Sequence, residues 1–173
     1  MGSIKTFAFV IPAYNEEELL PSTLTKLNTV IAAIHTHQGR IVVVDNNSSD
    51  NTAEVAKAYG ATVVFEAINQ ISRARNAGGQ ACPAEDYLFF LDADSYISTE
   101  LLEISLKALD SGKVCGGGST IRFDGPEGQW TTFLWNYLSR LSGMTAGAYI
   151  FCLNRAFKEN GGYNEDIFAG EDV

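Results

Sequence analysis

Residues 87–94, which read YLFFLDAD, decide the fold of this chain. The five residues from Tyr87 to Leu91 are apolar or aromatic without interruption, which predicts a strand that is buried on both faces. Such strands belong to the parallel sheets of α/β proteins, in which helices cover both sides. Two acids, Asp92 and Asp94, follow at once, so the sequence places carboxylates at the carboxyl end of a central strand.

Apolar strand patterns alternate with helical periodicity on both sides of this stretch, from the N-terminus to about Leu109. A long first helix is predicted to begin at Asn15, as its capping residue, and to bury the leucines and isoleucines from Leu20 to Ile34. Successive βα units of this kind predict a mainly parallel sheet. The remaining predicted strands are 7–11 (ending before Pro12), 41–44, 61–65, 115–123 and 149–153, and the remaining helices are about 52–59, 72–81, 98–109 and 130–141.

Composition limits the classes of partner and the environment. The chain has 173 residues, 46% of them hydrophobic, which is enough for one domain with a substantial core. Its formal charge of −9 disfavours nucleic acid and anionic membrane surfaces, so an anionic ligand would need a local cation. Three widely spaced cysteines favour a reducing compartment, and no apolar run approaches the roughly 18 residues of a membrane span. We therefore expect a cytoplasmic protein, at most peripheral to the inner face of a membrane.

Polar side chains follow three predicted strands, at the edge where ligands of open α/β sheets collect. Asp92 and Asp94 are two residues apart in extended backbone, so both carboxylates can share one hard divalent cation, Mn²⁺ or Mg²⁺. Such an ion would bridge to a diphosphate. The alternative is that Asp92 caps the next segment and Asp94 is a solvated turn acid. Asp45 can accept from a nucleobase, or it can cap the helix that begins near Thr52.

Two further groups carry candidate roles. Arg73 and Arg75 lie at the start of a predicted helix, where the helix dipole disfavours cations, so at least one of them is expected to face an anion; a surface salt bridge is the alternative. Asn76 is expected to form only local hydrogen bonds at the helix start. Near the C-terminus, Glu171 and Asp172 can supply a general base for a sugar hydroxyl, or they form a solvated terminal charge pair.

Taken in order, these motifs resemble family-two glycosyltransferases of the GT-A fold. The resemblance implies a Rossmann-like α/β/α sandwich with a mainly parallel central sheet, and an inverting transfer of sugar from a nucleotide diphosphate to an acceptor hydroxyl. It extends from about residue 7 to residue 173 and divides the single domain into a nucleotide-sugar-binding half at about 7–110 and an acceptor-side half at about 111–173. The segments that carry it are 10–16 (VIPAYNE), 43–52 (VVDNNSSDNT), 73–78 (RARNAG), 90–94 (FLDAD), 161–166 (GGYNED) and 170–173 (GEDV).

The resemblance also implies roles for single residues. Asp94 would be the main ligand of Mn²⁺ or Mg²⁺, with Asp92 near the ribose and diphosphate, and Asp172 would be the general base, with Glu171 beside it. Gly147 and Ala148 would line the acceptor side. The donor site would be formed by Pro12, Ala13, Tyr14, Glu16, Asp45, Arg75, Asp92, Ala93 and Asp94.

Two departures from the family pattern bear on function. Many relatives have Asp-Asp-Gly-Ser where this chain has Asp45-Asn46-Asn47-Ser48, which removes one carboxylate and one glycine. The chain also ends where relatives continue, so we expect a truncated catalytic domain, with any membrane association arising from the absent C-terminal region.

The alternatives are a non-catalytic nucleotide-binding fragment or degenerate relative and, less favoured, a phosphohydrolase with Asp92 as nucleophile. Expected partners are a nucleotide-diphospho-sugar donor and an unknown carbohydrate or lipid-linked acceptor, without nucleic acid. A homodimer is left open.

Overall fold

A computed structural model describes residues 4–119 and 148–166 of the chain. Within these residues six strands form one sheet in the order β3-β2-β1-β4-β6-β5. The first four in this order pair in parallel, whereas β6 runs antiparallel to both β4 and β5. The strands are β1 (Thr6–Ala13), β2 (Gln38–Asp45), β3 (Thr62–Phe65), β4 (Tyr87–Leu91), β5 (Gly116–Gly118) and β6 (Tyr149–Leu153). This confirms the mainly parallel α/β sheet.

Helices cover both faces of the sheet. The described helices are α1 (Leu20–Ala32), α2 (Thr52–Ala58), α3 (Ile71–Gln80), α4 (Thr99–Asp110) and α5 (Asn154–Glu159). Leucines of α1 and α4 pack with Phe9 and Phe89 in one core layer, while Ala74 of α3 packs with Val10 and Phe90 in the other. Every residue of β4 is buried, as its unbroken apolar sequence predicts. None of the described helices has the length and apolarity needed to cross a membrane.

Helix α3 packs against the sheet at Gly78. A side chain at this position would collide with Val10 of β1 and Val44 of β2. The absence of a Cβ therefore lets the helix backbone approach the two central strands.

Two predicted boundaries at the start of the chain are wrong. β1 continues through Pro12 to Ala13, because the Ala13 carbonyl accepts from Asn46 N–H on the β2 side, so the absent N–H of Pro12 removes no bond to β2. α1 begins at Leu20 rather than Asn15, and its N-cap, Leu19, has no side-chain cap. Asn15 is used elsewhere, as described below.

Other predicted boundaries are confirmed more closely. β4 and β6 have their predicted limits, Ser98 caps α4 by accepting from Leu101 N–H, and Gly60 adopts φ 81° just after α2. β5 covers only residues 116–118 of the strand predicted at 115–123. The rest of that strand from residue 120, and the helix predicted at 130–141, lie outside the described residues.

Candidate active site

The predicted donor residues meet at the carboxyl edge of the sheet. Ala13, Asp45 and Phe65 are in register at the ends of β1, β2 and β3, and Asp92 follows directly after β4. On the other side of β4, the N–H of Asp92 donates to the carbonyl of Ala148 at 3.2 Å. Three strand ends predicted from the sequence to carry polar groups therefore converge, and Ala148, which is predicted to line the acceptor side, lies beside Asp92.

Asp92 forms an ion pair with Arg75 of α3. The guanidinium Nη2 lies 3.0 Å from Asp92 Oδ1, and the Arg75 side chain is only 4% exposed, against 32% for Asp92. Arg75 also lies over the ring of Tyr163, 5.4 Å from its centroid. Burial raises the pKa of Asp92 above its ordinary value, Arg75 opposes this rise, and Asp94 adds to it. Arg75 thus brings a buried positive charge next to the acidic pair.

Both arginines of α3 pair with carboxylates of the chain, and the two pairs differ in burial. Arg73 Nη1 pairs with Glu165 Oε2 at 3.1 Å, and its Nε donates to Gln70 at 3.0 Å. Its side chain is about one third exposed. Arg73 therefore forms the surface salt bridge that the sequence left open as an alternative, whereas the buried Arg75 pairs with Asp92.

Asp94 is exposed, and its carboxylate lies near other acids. Burial raises the pKa of Glu16, and the charges of Asp94 and Asp50 add to this rise. The electrostatic repulsion between these carboxylates favours a bound cation at this edge.

The described residues fit a metal ion whose coordination is shared between protein carboxylates and a bound ligand. No group of three or more His, Cys, Asp or Glu side chains within 4–119 and 148–166 is arranged to hold an ion by itself. Two carboxylates with substrate phosphates are the usual way in which proteins bind Mg²⁺. Asp94 and Asp92 thus suit an ion that arrives with a diphosphate, as oxygen ligands of a hard metal.

The loops after β1 and β2 are joined by hydrogen bonds. Asn15 N–H donates to Ser48 Oγ at 3.0 Å, and Asn15 Oδ1 accepts from Ser49 N–H at 2.8 Å. Glu16 N–H donates to Thr52 Oγ1 at 2.8 Å, and Glu17 Oε2 accepts from Asn51 N–H at 3.0 Å. The segment from Pro12 to Glu16 is therefore held in a fixed position relative to Asp45.

Asp45 closes a turn instead of capping α2. Its Oδ1 accepts from Ser48 N–H at 2.9 Å, whereas Asp50 Oδ1 accepts from Thr52 N–H at the start of α2. The capping alternative for Asp45 is therefore wrong, and its role toward a nucleobase stays a prediction. Asn47, between Asp45 and Ser48, has φ 67°, a left-handed conformation that Asn tolerates and that glycine adopts freely. The loop thus has a left-handed residue at this turn without a glycine.

Asn46, where many relatives have aspartate, is buried and uses both ends of its amide. Its Nδ2 donates to the carbonyl of Ile68 at 2.6 Å and lies 3.4 Å from that of Glu66. Its Oδ1 accepts from Gln70 N–H at 3.0 Å. Asn46 therefore ties the end of β2 to the segment that leads from β3 into α3, and a carboxylate could not make the donations.

Replacing Asn46 with aspartate is expected to lower the free energy of unfolding by about 1–3 kcal/mol, because a buried carboxylate cannot donate to the carbonyls of Ile68 and Glu66. Urea denaturation at neutral pH measures this difference. Asn47→Asp is the matched control, since it makes the same chemical change at an exposed neighbour. Equal stability of the two variants would contradict the role assigned to the Asn46 amide.

Asn76 has a longer reach than the sequence predicts. It is buried in α3, donates to Tyr163 O at 3.0 Å and Glu165 Oε1 at 2.8 Å, and accepts from Tyr163 N–H at 2.8 Å. The prediction of purely local hydrogen bonds at the helix start is therefore wrong. A signal was available, because Asn inside a helix is unfavourable and needs compensation from elsewhere. Helix α3 thus holds both Asp92 and the segment that precedes the predicted base.

Three predicted site residues, Gly147, Glu171 and Asp172, lie outside the described residues. A cavity of about 430 Å³ is found at the amino edge of the sheet, lined in part by Lys5, Tyr87 and Asp110. There Lys5 Nζ lies 2.8 Å and Tyr87 Oη 2.7 Å from Asp110 Oδ1, so these polar groups satisfy one another. The carboxyl edge, which holds the converging acids and Arg75, is the better candidate for the active site.

Comparisons with known proteins place the chain in a family. The model of the family described as "Glycosyl transferase family 2" matches residues 8–159. The undecaprenyl-phosphate 4-deoxy-4-formamido-L-arabinose transferase of Klebsiella pneumoniae (strain 342) is 28% identical over 166 residues, which are 91% of this chain and 50% of that protein. The chain thus spans half of the length of this curated relative.

Solved structures share the fold. The structure of S. aureus TarS 1-349 in complex with UDP has a TM-score of 0.70 and 19% identity, over 96% of this chain and 52% of that one. The mannosyltransferase PcManGT from Pyrobaculum calidifontis, in complex with GDP-Man and Mn²⁺, has a TM-score of 0.72 and 18% identity, over 94% and 48% of the two chains. At these identities the likeness shows the fold alone.

Proposed function

Because the chain belongs to glycosyl transferase family 2, we propose that it transfers a sugar from a nucleotide diphosphate to an acceptor hydroxyl, with inversion at the anomeric carbon. One observation carries the proposal. The buried Arg75 pairs with Asp92 at the end of β4, next to the exposed Asp94 and at the edge where Asp45 and the 12–16 segment meet. This combination of one cation and several carboxylates suits a diphosphate that binds together with a metal.

The donor would lie across the ends of β1, β2 and β4. Pro12, Ala13, Tyr14 and Glu16 would surround the base and ribose, with Asp45 accepting from the base. Asp92 would lie near the ribose and diphosphate, and Arg75 would contribute positive charge on the diphosphate side. Asp94, with Asp92 beside it, would hold Mn²⁺ or Mg²⁺, which when bound stabilises the charge that develops on the departing nucleoside diphosphate.

The transfer itself would be a single displacement. The acceptor oxygen forms its bond to the anomeric carbon while the bond from that carbon to the diphosphate breaks, and Asp172 accepts the hydroxyl proton. Glu171 lies next to it in sequence, and Gly147 and Ala148 would face the acceptor. The name of the Klebsiella relative contains undecaprenyl-phosphate, which supports a lipid-linked acceptor at the inner face of a membrane. The free thiols of the described cysteines suit a cytoplasmic location.

Binding of a nucleoside diphosphate with Mn²⁺ tests the donor site. UDP or GDP at about 100 times its dissociation constant should stabilise the protein by about 2.7 kcal/mol, or about 5–10 °C in melting temperature. Asp94→Ala should abolish the part of this shift that requires Mn²⁺, because it removes the main metal ligand. Differential scanning fluorimetry with Mn²⁺ and with EDTA measures both effects.

Glu100→Ala is the matched control, since it removes one negative charge from an exposed position at the start of α4, six residues after Asp94. It should keep the full shift. The absence of any shift in the wild type with UDP or GDP would count against the donor site. Binding without sugar transfer would favour a non-catalytic nucleotide-binding module, and a phosphoryl group trapped on Asp92 would favour the phosphohydrolase.

A further inference from the structure

Thr23 of α1 forms a hydrogen bond that its own helix does not require. Its Oγ1 donates to the carbonyl of Ala93 at 2.6 Å, across 70 residues of sequence. Thr25 and Thr29 of the same helix instead donate to the carbonyls four residues before them, Pro21 and Thr25, on the exposed side. Back-bonding within the helix is the usual behaviour of threonine, so Thr23 differs from its neighbours in what it binds.

The acceptor of this bond lies between the two aspartates. The carbonyl of Ala93 belongs to the peptide plane that leads into Asp94, and a peptide plane is rigid. Fixing the direction of the carbonyl therefore restricts the orientation of the Asp94 backbone. Thr23 is 1% exposed and Ala93 is 6% exposed, so water has little access to the Ala93 carbonyl and cannot readily replace the Thr23 hydroxyl as its donor.

The two aspartates are thus held by different means. Asp92 is tied to the sheet through its N–H to Ala148 and to α3 through Arg75. Asp94 is exposed, and its carboxylate has one weak described contact, with Ser95 Oγ at 3.4 Å. Its position therefore depends on the backbone around it, which Thr23 fixes from the α1 side.

Tyr96 provides a second tether between the same loop and α1. Its hydroxyl lies 3.4 Å from Ser22 Oγ, and Lys26 Nζ lies 3.4 Å from the centroid of its ring. Ser22, Thr23 and Lys26 thus hold residues 93–96 from one turn of α1. Because all three side chains contact residues 93–96, we infer that this turn of α1 supports the loop after β4.

We propose that Thr23 is a positioning residue that orients Asp94 for the divalent metal through the carbonyl of Ala93. The inference rests on the proposed function, because it assumes that Asp94 binds a metal that arrives with a nucleoside diphosphate. Groups that orient metal ligands through hydrogen bonds, without contacting the metal themselves, contribute about 10- to 100-fold to metal affinity. Thr23 has this effect without touching metal or nucleotide.

The quantity to measure is the ratio of the UDP dissociation constant in EDTA to that in saturating Mn²⁺, by isothermal titration calorimetry, with GDP in parallel. Thr23→Val keeps the shape of the side chain and removes the donor. The ratio is expected to fall about 10- to 100-fold, while the dissociation constant in EDTA stays close to that of the wild type. Thr23→Ser, which keeps the hydroxyl, should restore most of the ratio.

Thr25→Val is the control for threonine removal in α1 and should keep the wild-type ratio. If Thr23→Val does not fold, Thr23→Cys replaces it, since a thiol is a weaker donor, and an intermediate ratio is expected. A wild-type ratio in the folded Thr23→Val or Thr23→Cys protein would overturn the inference. Failure of the wild type to bind UDP or GDP with Mn²⁺ would instead overturn the proposed function, so the two failures are distinguishable.

Discussion

The Arg75→Leu variant is expected to lose about 2–4 kcal/mol of unfolding free energy and to bind UDP or GDP with Mn²⁺ about 10- to 100-fold more weakly. Removal of one partner of a buried ion pair costs about 3–5 kcal/mol, because the other charge is left uncompensated. The loss should be somewhat smaller here, since Asp92 is about one third exposed and water can solvate part of its charge. The binding loss follows from removing the guanidinium on the diphosphate side.

Arg73→Leu is a matched control for this change. Arg73 lies two positions earlier in α3, and its ion pair with Glu165 is more exposed than that of Arg75. Such pairs contribute about 1 kcal/mol or less, so Arg73→Leu should be mildly destabilised and should bind nucleotide normally. Urea denaturation and calorimetry on both variants give the two comparisons. Equal binding losses in the two variants would contradict the assignment of Arg75 to the donor.

The parts of the fold that were predictable from sequence are those set by local pattern. β4 has its predicted limits because uninterrupted burial leaves a continuous apolar sequence, and Asp92 and Asp94 are visible directly after it. The sequence predicts a helix cap at Ser98 or Thr99 from residue type and place, and the cap is Ser98. Convergence of the three strand ends follows from parallel pairing alone.

The contacts that hold the site could not be predicted in this way. Asn46, Asn76 and Thr23 bind partners that lie 20 to 24, 87 to 89 and 70 residues away, respectively. Polar residues of these types have many local uses, and only the folded chain selects the distant one. The start of α1 was misplaced for the same reason, since Asn15 binds the loop after β2 and caps no helix.

The partition of the two arginines shows this limit within one helix. The sequence identifies both Arg73 and Arg75 as unfavourable at a helix start and so predicts an anion for at least one. Which arginine faces Asp92 depends on how α3 packs on the sheet, a tertiary contact in which Gly78 lies against Val10 and Val44.

Replacement of the predicted base should have the largest effect on turnover. Asp172→Asn is expected to lower the rate of sugar transfer about 100- to 10,000-fold, because the acceptor hydroxyl loses the group that takes its proton. The dissociation constant for UDP or GDP with Mn²⁺ should stay close to that of the wild type, since the base acts on the acceptor and not on the donor. The measurement pairs calorimetry with the rate of nucleoside diphosphate release in the presence of an acceptor.

Glu171→Gln separates the two adjacent acids near the C-terminus. It removes one carboxylate next to Asp172 in sequence and should retain most of the turnover if Asp172 is the base. Undiminished transfer by Asp172→Asn would remove the assignment, and loss of transfer in Glu171→Gln alone would give the role to Glu171. Helix α3 contacts both regions of the site. Asn76 binds Tyr163 and Glu165, and Arg75 pairs with Asp92. The helix that lies at the proposed donor site therefore also anchors residues 163–165, which precede the proposed base in sequence.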